Sequence, residues 1–208
     1  MSDNDIITEN SKLRALLGDA HPLVTKKVLN ALDDEGERFI RMSPIAFLST
    51  SDKEGFPDVS PRGDHPGFVT IENSQTLYIP ERPGNKLAFS LQNILVNPNI
   101  ALLFIIPGVL ESYRVHGTAR ITTEPELLAR IGEDTRGKTA ALALEVRIRQ
   151  CFLHCGKALI RSELWSPESQ QTGVKFRFGA TTAREAGGDA EMVSMIDEIV
   201  EEDYRDNL

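Results

Sequence analysis

Three cations, Arg62, Arg82 and Lys86, sit around two turns in a stretch that reads PDVSPRGDHPGFVTIENSQTLYIPER and continues PGNKLAFSLQN. Strand-like alternation runs into Ser60-Pro61-Arg62-Gly63-Asp64, a second strand over Thr76 to Ile79 ends on Pro80, and a helix is expected to open at Gly84-Asn85. Arg82 and Lys86 flank that opening, so charge and unpaired backbone N–H groups converge on one point, which is how proteins hold a phosphate. Pro61 cannot donate to a sheet ladder and Gly63 admits unusual backbone angles, so the strand is expected to bend and display Arg62. Asn85 is expected to cap the helix, and Gly84 to let backbone approach a ligand. The plainer alternatives are a surface hairpin with an exposed arginine and an ordinary capped helix with solvated basic residues.

Two further groups could carry chemistry. Glu111, Ser112, Arg114 and His116 lie on one long strand, with Ser112 and Arg114 on the same face. A solvent-exposed sheet face accounts for the same pattern. His154, Lys157 and Arg161 share one helical face if that segment is a helix, followed by the single tryptophan, Trp165. A basic amphipathic helix with a core tryptophan is the alternative there. Cys151, His154 and Cys155 have a spacing that could ligate zinc, but with no second Cys/His pair elsewhere a small apolar role fits both thiols better. No GxSxG, Walker loop or GxGxxG with a βαβ unit is present, and no acid or base can be nominated as catalytic.

The elements that must position these residues fall in two classes. Leu13, Leu16 and Leu17 suggest a short helix, Leu23, Val28, Leu29 and Leu32 recur at near-helical spacing after Pro22, and a helix over about residues 33–42 carries Phe39 and Ile40. From Ile45 the pattern turns to short runs at residues 45–50, 56–60, 67–71, 76–79, 100–106, 112–122 and 142–148, separated by turn signals such as Pro107-Gly108. That reads as an antiparallel barrel interrupted by helices over 85–97 and 124–132. Residues 166–188 read as an extended arm and 189–208 as an acidic amphipathic helix with Met192, Met195, Ile196, Ile199 and Val200 on its apolar face.

With 208 residues, the chain suits one domain with terminal extensions. A formal charge of −8 opposes adhesion to nucleic acid or anionic lipid, so an anionic ligand must be caught locally. No signal-like or long apolar segment is visible, which makes a cytoplasmic location, away from the membrane, the expectation.

Four segments in order, DVSPRGD (Asp58 to Asp64), LYIPERPGNK (Leu77 to Lys86), LESYRVHGTARI (Leu110 to Ile121) and FLHCGKALIRSELW (Phe152 to Trp165), resemble the FMN-binding split-barrel family related to pyridoxamine 5′-phosphate oxidase, in particular one bacterial branch of flavoproteins. The resemblance implies a mainly β fold with helices (α+β), an antiparallel split β-barrel over residues 34–166, an N-terminal helical extension over 1–33 and a C-terminal arm and helix over 167–208. It further implies a homodimer with FMN at the subunit interface. In that family Arg62, Arg82 and Lys86 would hold the FMN phosphate, and Ser60, Ile79, Pro80, Asn85 and Ser112 would contact the rest of the cofactor. Lys157, Arg161 and Trp165 would reach the site from the opposite subunit. The implied activity is an FMN-dependent oxidoreductase on a small organic molecule. Two alternatives stay open: non-catalytic flavin storage or redox sensing, and vitamin B6 oxidation in the strict sense, although the Arg-x-His of true pyridoxamine-phosphate oxidases is not found. Some split barrels take deazaflavin or haem instead. Leu87 and Phe89 stand where relatives commonly carry an Arg and an Asp.

Overall fold

The computed structural model describes residues 6–82, 84–134 and 136–206. Alternation of apolar and polar residues drives seven strands: β1 (Ile45–Ser51), β2 (Pro57–Gly63), β3 (Thr70–Asn73), β4 (Thr76–Pro80), β5 (Asn99–Ile105), β6 (Ser112–Thr122) and β7 (Ala143–His154). All pair antiparallel, in the spatial order β2-β1-β5-β6-β7-β4-β3. The sheet is not closed, so β2 and β3 are both edges. Its inner face carries Ala46 and Leu48 of β1, Leu102 and Phe104 of β5, Val115 of β6, Val146 of β7 and Leu77 and Ile79 of β4, all buried. Each fully buried Leu or Phe contributes about 1.5–3 kcal/mol.

Helices cover what the sheet leaves open. Asp33 caps α3 (Asp34–Met42) by accepting the Gly36 N–H at 2.8 Å, an acidic first turn matches the helix dipole, and Phe39 and Ile40 are buried in the core. Gly36 is required by packing, because a Cβ there would collide with the Tyr113 hydroxyl. α4 (Phe89–Val96) buries Ser90 and Ile94 against β1 and β2, and α5 (Pro125–Ile131) buries Leu127. Ahead of the barrel, α1 (Asn10–Leu17) and α2 (Pro22–Thr25) bury no residue. After it come α6 (Lys157–Arg161), a 3₁₀ turn at Pro167–Ser169, and a helical hairpin of α7 (Phe178–Glu185) on α8 (Ala190–Asp206).

Several expectations from the sequence are corrected. β2 does not stop at Ser60 but continues through Gly63, with Pro61 opposite Phe47, because proline is tolerated on an edge strand whose nitrogen faces away from the ladder. α4 opens at Phe89, not at Gly84-Asn85, because Lys86 (φ 60) and Ala88 (φ 55) are left-handed and no helix runs through such residues. Only a single turn of helix forms after Pro22; Leu29 instead bridges to Cys151, each N–H on the other's carbonyl at 2.9 Å. The arm at 166–188 is not simply extended, since α7 lies within it. β7 is longer than its apolar run and takes His154 into the sheet.

Candidate functional site

A cleft of about 690 Å³ lies on the open side of the barrel, where no ladder joins β2 to β4. Its walls come from β2 (Asp58, Ser60, Pro61, Arg62), the end of β4 (Pro80, Glu81, Arg82), the 84–88 turn, the start of α4 (Phe89, Ser90, Leu91), and Thr139 and Ala141. A volume of this size is in the ordinary range for a small-molecule site.

Ion pairs span the gap between the two strands. Arg62 donates from Nη1 to Glu81, and Arg82 donates from Nε to Asp64 at 2.9 Å and from Nη1 to the Lys138 carbonyl at 3.2 Å. All four side chains are largely buried. Such pairs, shielded from water, are costly to break one-sidedly, which makes them firm positioning devices. The Lys138 carbonyl is itself held by a small loop: Asp134 accepts the Arg136 and Lys138 N–H groups, each at 2.8 Å. Those bonds, the one from Lys138 first, hold the Asp134 carboxyl below its ordinary value. Lys86 also lines the cleft and has no carboxylate within ion-pair distance among the described residues.

Two features of the cleft ask for a ligand. The Arg62 Nε–H is buried and meets no acceptor among the described residues, an arrangement native proteins rarely leave. Beside it Ser90 donates to Asp58 at 3.1 Å, so the Ser60–Ser90 contact at 2.9 Å has Ser60 as its donor. With its one proton committed, Ser60 Oγ is left as an acceptor facing the cavity.

Of the residues expected to bind a cofactor, Ser60, Arg62, Pro80, Arg82, Asn85 and Lys86 line this one cleft. Pro83, between two of them, is outside the described residues. Asn85 does not cap α4; its Oδ1 accepts the Leu87 N–H at 3.1 Å, a local turn that shapes the cleft rim. Ile79 is a core side chain, not a lining one. Ser112, Lys157, Arg161 and Trp165 are not brought to it within one chain. Ser112 is buried at the start of β6 opposite Ile105 and His154. Lys157 and Arg161 are exposed on α6, and Trp165 donates from Nε1 to the Val109 carbonyl at 2.9 Å. His154 does not share a helical face with Lys157 and Arg161, because it ends β7. Burial first, then the neighbouring Arg114 and Lys27 charges, keep its imidazole below the ordinary histidine value. Cys151 is buried in the core while Cys155 is exposed, and no cluster of three His, Cys, Asp or Glu among the described residues is placed to hold a metal. No helix among them is long and apolar enough to cross a membrane.

Sequence reasoning did not find Asp58, Glu81, Asp64 or Ser90 as parts of the site. Only pairing of β2 with β1 and docking of α4 on both places Ser90, which is 30 residues from Ser60 in sequence, against its hydroxyl. The carboxylates carried a weak signal: a buried arginine needs a counter-charge, and Asp64 and Glu81 each adjoin one of the turns.

Comparison with known proteins places the chain. No curated protein matches it. Among solved structures, HupZ of Group A Streptococcus shares 21% identity, covering 59% of this chain and 93% of its own at a TM-score of 0.47. A Clostridium acetobutylicum protein related to general stress protein 26, of the pyridoxinephosphate oxidase family, shares 14% identity over 58% of this chain and 86% of its own, TM-score 0.44. The family model described as pyridoxamine 5′-phosphate oxidase matches residues 32–155, the whole barrel from the cap of α3 to the end of β7. Because that match takes in more than half of the sequence and all seven strands, the chain belongs to the pyridoxamine 5′-phosphate oxidase family, which is of flavin-related oxidoreductase type.

Proposed function

We propose that the protein is an FMN-dependent oxidoreductase that acts on a small organic molecule and works as a homodimer. The observation that carries this reading is the buried Arg62 Nε–H, without an acceptor among the described residues, in a cleft that also holds Arg82 and Lys86. An oxyanion is the natural acceptor for that donor, and a phosphate would neutralise the charge gathered there. The residues fit an FMN. Arg62, Lys86 and the turn at Gly84-Asn85 would hold its phosphate, and Ser60 Oγ is an acceptor for an N–H or hydroxyl of the remainder. A bound flavin supplies hydride and electron transfer, so the chain need only bind it, orient it and keep water away. Glu81 and Asp64 keep the guanidinium groups aimed along the cleft before the cofactor arrives.

Dimerisation is supported by what the cleft lacks. Among the described residues it is lined by the 58–91 and 139–141 segments, while Lys157, Arg161 and Trp165 of the same chain lie elsewhere. A second copy can present those residues to the open side, and two-fold symmetry then makes two equivalent sites.

The direct test is titration of purified protein with FMN and riboflavin, followed by flavin fluorescence. FMN is expected to bind with a dissociation constant of about 1 μM or lower, roughly −8 kcal/mol, and riboflavin far more weakly. Protein that binds neither would remove the proposal. The dimer is tested by mixing an Arg62→Ala chain with an Arg161→Ala chain. If the residues serve one site from opposite chains, the heterodimer has one site with both lesions and one intact site, and half of the wild-type FMN capacity returns. Two equally weakened sites would place both residues in one chain's site and sink the interface assignment.

A further inference from the structure

The outer face of β6 and β7, on the side away from the core, carries a group of cations that the cleft does not use. Arg114 and Phe152 are direct cross-strand partners, and the Arg114 guanidinium lies 5.5 Å from the centre of the Phe152 ring. The Lys27 ammonium lies 5.3 Å from the same ring. It is brought there by the bridge between Leu29 and Cys151, which ties the 26–29 loop to β7. His154 and His116 flank Phe152 at 6.3 and 6.1 Å between ring centres, and His116 also lines a pocket of about 350 Å³ with Asn99, Arg149 and Gln150.

The fold builds this face deliberately. The β6–β7 register shifts between His116 and Gly117, leaving Arg149 without a cross-strand partner, and such a bulge re-aims side chains. Elsewhere on the barrel arginines meet carboxylates: Arg62 with Glu81, Arg82 with Asp64, Arg120 with Glu145, Arg130 with Glu72. Neither Lys27, Arg114 nor Arg149 has an acidic side chain within ion-pair distance among the described residues, and the pocket lining contains none. In a chain with a net charge of −8, two cations on one ring with no counter-charge among the described residues are not the default. His154 adds a second sign, since its Nδ1 is buried without a hydrogen-bond partner among the described residues. Its imidazole is also held below its ordinary value, by burial first and then by the two nearby cations.

We propose that this face is a second oxyanion site, separate from the cleft, which takes a small molecule through a phosphate or carboxylate group. Lys27 and Arg114 supply the charge, the imidazoles of His116 and His154 supply further hydrogen bonds, Arg149 lines the pocket that His116 shares, and Phe152 fixes the two cations by cation–π contact. Among the described residues none lines both this pocket and the cleft of the same chain.

The test uses the imidazole proton resonances of the purified full chain, which has only 4 histidines. Sodium phosphate, sodium acetate and sodium chloride are titrated at constant pH and ionic strength. Saturable shifts of His116 and His154 with phosphate, acetate or both are expected, at a dissociation constant in the millimolar range, and the better anion identifies the group recognised. Lys27→Gln, an exposed change that leaves the barrel intact, should raise that constant about fivefold, whereas Arg62→Ala should leave it unchanged. Shifts equal to those in chloride, a response confined to His65 or His21, or an unaltered constant in Lys27→Gln would each overturn the site.

Discussion

Arg62→Ala is expected to weaken FMN binding by roughly 10- to 150-fold, the effect of losing a charge-assisted hydrogen bond worth about 1.5–3 kcal/mol. Riboflavin, which has no phosphate, should bind the variant and the wild type alike. Part of the loss has a second origin in the structure. Without its partner, the Glu81 carboxylate is left unpaired in the cleft and repels the incoming phosphate. The double variant Arg62→Ala/Glu81→Gln should therefore recover some FMN affinity relative to Arg62→Ala. Lys86→Ala should shift FMN in the same direction without that recovery, since no carboxylate faces Lys86 among the described residues. Flavin fluorescence titration of the four proteins reads all of this. Equal losses for FMN and riboflavin would mean that Arg62 secures the closure of β2 on β4 and not a phosphate.

Gly117→Ala is expected to cost at least about 3 kcal/mol, the upper range for forcing atoms into a packed interior. Gly117 lies opposite Ile148 where the β6–β7 register shifts, and a Cβ there would be driven into the Arg147 carbonyl. The obstacle is backbone of the neighbouring strand, so no side chain can swing away to relieve it. At roughly 2–4 °C per kcal/mol for a chain of this size, the melting temperature should fall by about 10 °C. Gly84→Ala is the matched control, because nothing lies within 4 Å of a Cβ at that position. Near-equal melting temperatures for the two variants would show that β6 and β7 do not approach so closely at the bulge.

The barrel was legible in the sequence wherever apolar periodicity and local turns decide structure. β6 occupies the segment expected of it, and α3 begins at its Asp33 cap. What escaped was decided by partners distant in sequence. His154 reads as helical from its spacing to Lys157, yet pairing with Ser112 keeps it in β7. The turn after Pro80 reads as a helix start, yet the left-handed Lys86 and Ala88 delay α4 to Phe89, and no local propensity announces such angles in a lysine and an alanine. For the site, the clustering of Arg62, Arg82 and Lys86 was legible because two turns in one stretch carry them. Glu81, Asp64 and Ser90 were not, because their roles arise only when β2, β4 and α4 meet. Lys27 and Phe152 lie 125 positions apart in the numbering and become neighbours only through the Leu29–Cys151 bridge.

An open sheet leaves a strand whose backbone could recruit another chain, and β2 carries its own defence against that fate. Residues 57, 59, 61 and 63 alternate with those facing the core, and because pairing with β1 persists across Pro61, their nitrogens point along the unpaired edge. Two of those four are prolines, Pro57 and Pro61, so half of the donors that an invading strand would need do not exist. Intermolecular sheet extension, the first step of aggregation and of amyloid growth, is thereby denied a continuous template. Pro61, which β2 tolerates because its nitrogen faces away from β1, is thus also one of two residues that withhold a donor from an invading strand.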